Sequence, residues 1–113
     1  MHDLKTTAQH IAKLIRVANR LGIAQTWRRE LGQFFSQVRI AKGLTRKEVL
    51  QRLPRHYASG RAYLHAIEAG IHLAPEIYVT LAMILVRPGS AEARQLEGIA
   101  RRLTRALIKE LKG

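Results

Sequence analysis

Apolar positions recur along this chain at spacings of three and four, and no segment shows the strict alternation of a half-buried strand. The first run spans Asp3 to Leu21. Leu4, Ala8, Ile11, Ile15 and Ala18 fall on one helical face, Leu14, Val17 and Leu21 widen it, and Lys5, Lys13, Arg16 and Arg20 lie elsewhere. Asp3 is a natural N-cap and Gly22 a natural stop. A second helix is predicted from Gln25 to Lys42, with Leu31, Phe35 and Val38 as its apolar row, Trp27 and Phe34 beside it, and Gly43 after it. Thr45 opens a third helix with Glu48 three residues on, the spacing of a capping box; Val49, Leu50 and Leu53 point inward and Pro54 ends it.

Residues Pro54 to Gly60 read as a loop. A fourth helix, Gly60 to Ala69, buries Leu64 and Ile67 and stops at Gly70. Pro75 suits the first turn of a fifth, with Ile77, Leu81, Ile84 and Leu85 on one face, broken at Arg87-Pro88-Gly89. The last helix runs from Ser90 to Leu111, with Leu96, Ala100, Leu103, Leu107 and Leu111 in register and Ile99 alongside. The expected fold class is therefore all-α. The segments are an N-terminal amphipathic helix (1–22), a central unit (23–88) and a basic amphipathic C-terminal helix (89–113).

Composition narrows the function. The chain has 113 residues, the size of one ordinary domain, and 47% hydrophobic residues, enough for one core. Twenty Lys and Arg against eight Asp and Glu give a formal charge of +12, which points to a polyanionic partner such as nucleic acid. The absence of cysteine excludes a disulfide scaffold and thiolate metal sites. No apolar stretch approaches the roughly 18 residues of a membrane span, and the N-terminal residues lack the apolar block of a secretory signal. A cytoplasmic, nucleoid-associated protein with no membrane partner is the resulting expectation.

Two runs carry a family resemblance. Val38-Arg39-Ile40-Ala41-Lys42-Gly43-Leu44-Thr45, continued by Arg46-Lys47-Glu48-Val49-Leu50, is similar to the run in which the first helix of the lambda repressor and Cro-like (xenobiotic-response-element type) helix-turn-helix family hands over to the second. Leu64-His65-Ala66-Ile67-Glu68-Ala69-Gly70 resembles the end of that family's recognition helix, and Pro75 matches the proline opening its next helix. The resemblance covers about half the chain, from Leu31 to Leu85. It departs from the family in a longer Pro54–Ser59 turn, in Leu50 for a small alanine, and in Arg46 for a glutamine.

The resemblance implies a lambda repressor-like core with extra N- and C-terminal helices, in which Val49, Leu53, Leu64 and Ile67 pack the two helices of the motif together. It also implies a structural ion pair between Arg39 and Glu68, and sequence-specific binding of double-stranded DNA by a transcriptional regulator. A repressor is favoured over an activator because no effector or activation segment is visible. The candidate DNA contacts are Arg46, Lys47, Arg55, Ser59, Arg61, Tyr63 and His65. Arg46 and Lys47 sit at a helix N-terminus, where the dipole favours phosphate. Arg61 opens the recognition helix, where an arginine can read guanine. A dimer neutralising about eight phosphates would show a log–log salt slope of about −7.

The apolar stripes of the terminal helices suggest a homodimer, which operator symmetry favours; the alternative is that both fold back on the monomer core. The Arg-rich side of the last helix reads as a solvated face, with a second phosphate patch as the alternative. The five histidines include no helical i, i+4 pair, so they read as surface residues and no metal or other cofactor is implied. Ser36, Ser59 and Ser90 sit in no nucleophile pattern and no phosphate-cradling glycine loop is present, so an enzyme is not expected. The competing reading is a protein-interaction module on a diverged helix-turn-helix, including an antitoxin bound to a partner toxin; the long turn favours it. A third is sequence-independent binding of nucleoid DNA or RNA through charge.

Overall fold

The computed structural model describes residues 3–54, 61–71 and 74–113, and of residues 61–63 the helical backbone alone. All regular structure among the described residues is helical, in the order α1 (Leu4–Leu21), α2 (Ala24–Ala41), α3 (Arg46–Arg52), α4 (Arg61–Glu68), α5 (Glu76–Leu85) and α6 (Ala91–Lys112).

Local chemistry sets the boundaries. The Asp3 carboxylate accepts from the Thr6 amide at 2.7 Å, and Gly22 closes α1 in the left-handed conformation. At α3 the capping box is complete: Thr45 Oγ1 accepts from the Glu48 amide at 3.1 Å, and the Glu48 carboxylate accepts from the Thr45 amide at 3.0 Å. Ser90 Oγ accepts from the Ala93 amide at 3.1 Å and starts α6. Each device satisfies backbone donors that a helix N-terminus leaves without partners. α2 begins after Ile23 with no side-chain cap, and its start is held by packing.

One core draws on all six helices. α5 is the most apolar of them and buries Ile77, Tyr78, Leu81, Ala82 and Leu85. α1 lies mainly against α5 and α6, α2 touches α1, α4, α5 and α6, and α3 packs on α4. Phe35 at the centre meets Phe34 edge-on, with ring centres 5.1 Å apart, and stacks on Tyr78 at 6.2 Å. Val49, Leu53, Leu64 and Ile67 are buried in this same core.

The expectation that the terminal stripes serve a homodimer needs correction. Leu4, Ala8, Ile11, Ile15 and Ala18 of α1, and Leu96, Ile99, Ala100, Leu103 and Leu107 of α6, are buried within the single chain. α5 is too apolar to be covered by α2 alone; α1 covers it, and α6 in turn closes over α1 and α2. Only the ends of the stripes remain outside: Leu21 is 37% exposed and Leu111 67%. Leu14 and Val17, which widen the α1 stripe, and Ile84 on α5 are half-buried against the core. No helix among the described residues is long and apolar enough to cross a membrane.

Candidate nucleic-acid interface

The α2–α3–α4 unit is built around one carboxylate. The Glu68 side chain is 5% exposed and lies at the last residue of α4. Arg39 Nε on α2 donates to Glu68 Oε2 at 2.8 Å, and its Nη2 reaches Oε1 at 3.4 Å. Arg39 Nη1 donates to the Leu44 carbonyl at 2.9 Å, so the same guanidinium also holds the α2–α3 turn. Arg46 Nε on α3 donates to Glu68 Oε1 at 2.9 Å. Glu68 therefore ties three helices through one buried anion shared by two cations. A buried charge is tolerated only when paired and hydrogen-bonded in this way.

Two further contacts fix the end of α4. Gly32 on α2 faces its last turn so closely that a Cβ there would stand 2.5 Å from the Ile67 carbonyl oxygen and 2.6 Å from that of Glu68. Gly70 adopts φ +80°, and a Cβ there would stand 2.7 Å from the Arg29 Cα, so both its conformation and its space demand glycine. Arg28 Nε donates to the Gly70 carbonyl at 3.3 Å, and its Nη1 to Asn19 Oδ1 at 2.6 Å, linking this corner to α1.

Against this frame the candidate contacts divide. Lys47 and His65 are exposed on α3 and α4. Arg46 is half-exposed, and Glu68 holds its Nε, so this candidate contact is also an internal tie. The α3 N-terminus is likewise not an open anion site. The Glu48 carboxylate sits on it, lowered from its ordinary carboxylate value first by the hydrogen bond from the Thr45 backbone and then by that from the Thr45 side chain. Arg61 and Tyr63 lie in α4, but their side chains are outside the described residues, as are Arg55 and Ser59 altogether.

Sequence reasoning missed Gly32, Arg28 and the second partner of Glu68. A glycine inside an apolar helical run was the available signal for the first, since such a residue usually marks a close approach. Nothing local signals the other two, because their partners lie 42 and 22 residues away. Among the described residues, no group of three or more potential metal ligands comes together. Compared with protein-family models, with curated proteins and with solved structures, the chain matches none.

Proposed function

We propose that the protein binds double-stranded DNA in a sequence-specific manner through α3 and α4, as a regulator of the lambda repressor-like helix-turn-helix kind. The observation that carries this reading is the Arg39–Glu68–Arg46 cluster, which clamps the far end of α4 to α2 and α3 and leaves its leading end, at Arg61, unencumbered by that clamp. A reading helix must be held rigidly by one end while the other enters the major groove. Support also comes from the formal charge of +12 and from exposed Lys47 and His65 on the same helix pair. Repression through a homodimer fits a two-half-site operator; with the terminal stripes consumed by the core, such a dimer uses what stays exposed, such as Ile108 and Leu111.

The test is selection of bound sequences from a random duplex pool, repeated with Arg61→Ala. The wild type should enrich a motif, and the variant should relax one position of it by about 1–3 kcal/mol. No enriched motif, or a motif untouched by the substitution, overturns the reading. The exposed Ile40 and Ile71 favour a second reading, a protein-binding module on the same scaffold; a protein partner that holds the Arg61→Ala variant as tightly as the wild type, in a chain that enriches no DNA motif, would single it out.

A further inference from the structure

We propose that the groove between α1 and α6 is a phosphoryl-binding site, with Arg101 and Arg105 as its anion ligands. The groove has a volume of about 590 Å³ and is lined by Thr6, Thr7 and His10 from α1 and by Glu97, Ala100, Arg101, Thr104 and Arg105 from α6. It is separate from the α3–α4 surface: α1 packs on α5, α6 and α2, and α6 on α1 and α2, whereas α3 packs on α4. The inference stands whether or not α3 and α4 bind DNA.

Charge is the first argument. α1 carries Lys5, Lys13, Arg16 and Arg20 and no acidic residue. On α6 the basic residues outnumber Glu92, Glu97 and Glu110. Intramolecular pairing does not use this surplus evenly. Arg102 pairs with Glu30 and lies over the Trp27 ring, and so belongs to the fold. Arg101 and Arg105, on either side of it in sequence, form no ion pair among the described residues. They stand one helical turn apart, a spacing at which like charges repel. An oxyanion bridging the two guanidiniums turns that repulsion into attraction. Glu97 also lines the groove, but its one charge is outweighed by two.

Donor chemistry is the second argument. Guanidinium forks match the oxygens of a phosphoryl group. Thr104 Oγ1 donates to the Ala100 carbonyl at 2.8 Å and lies 3.4 Å from His10 Nε2. That contact ties the two walls of the groove and holds an imidazole beside the arginine row.

The phosphoryl group could belong to a nucleic-acid backbone or to a free nucleotide, and the test separates them. Inorganic phosphate, adenosine monophosphate and a short DNA duplex are each titrated into the full chain at fixed ionic strength, with sodium chloride as control, while NMR follows the His10 ring and the Thr104 methyl group. At least one phosphate-bearing probe should shift both signals where chloride does not, and the double variant R101Q/R105Q should weaken that binding about tenfold or more. Tighter binding of the duplex, with a salt slope shallower by about 2 in the variant, assigns the site to a nucleic-acid backbone. Tighter binding of the mononucleotide assigns it to a free nucleotide. The proposal is overturned if chloride shifts the signals equally, if no probe shifts them, or if the double variant, shown folded by its thermal melt, binds as the wild type does. A duplex that binds while neither it, inorganic phosphate nor adenosine monophosphate moves His10 or Thr104 likewise overturns it, and leaves the α3–α4 reading standing.

Discussion

At the scale of single residues, burial decides chemistry more than identity does. Tyr78 is stacked on Phe35 and almost wholly covered, and desolvation pushes its hydroxyl up from 10.0 to about 12, against a smaller opposing pull from Arg28. Below about pH 10 folded and unfolded chains both keep this proton, so the native state loses nothing there. Above it the unfolded chain releases the proton while the folded chain holds it, and stability drains away up to about pH 12. Two units correspond to about 3 kcal/mol. Urea unfolding at about pH 9 and about pH 11 should show this alkaline loss, and Tyr78→Phe should shrink it by more than 1 kcal/mol. An equal loss in both chains would mean that the tyrosine ionises freely. Glu68 shows the same dependence on surroundings. As a sequence letter it marks the end of a helix; in the fold it is the anion on which Arg39 and Arg46 converge.

At the scale of elements, caps and stops were readable because their physics is local. Asp3, Thr45 with Glu48, and Ser90 each bond to an amide three residues away. The angle at which α4 crosses α2 is different, since it depends on Gly32 meeting the carbonyls of residues 67 and 68. Gly32→Ala should therefore destabilise the fold by about 1–3 kcal/mol, although alanine is the better helix former, because the obstructing atoms are backbone. Chemical denaturation measures this directly. A variant as stable as the wild type would show that the helices separate at no cost. The position of α4 also bears on its proposed use: a clamp that shifts at Gly32 moves the helix meant to read DNA.

At the scale of the whole molecule, the terminal helices are walls of the core. The radius of gyration is 13.6 Å, close to the roughly 13 Å of a single compact unit of this length. Residues 1–22 read in sequence as an amphipathic helix for packing or dimerisation; Ile11 and Ile15 are buried and α1 lies along α5 and α6. Deleting residues 1–22 should abolish cooperative thermal unfolding, because the apolar face of α5 would then meet water. A sharp melt, followed by circular dichroism of the truncated chain, would show instead that residues 23–113 fold alone.

The sequence by itself determined the helices, their caps and breaks, and the apolar faces that form most of the core, since periodicity and capping act over a single turn. It also determined the cationic surplus and, through the helix-turn-helix resemblance, the partnership of Arg39 with Glu68. Only the tertiary structure decided that Glu68 takes a second arginine, that Gly32 sets a helix crossing, and that the terminal stripes close on their own chain. It likewise separated Arg102, which serves the fold, from Arg101 and Arg105, which do not. These are contacts between residues far apart in the chain, and whether an amphipathic face meets its own core or another molecule is a matter of how the surfaces fit, which periodicity does not encode.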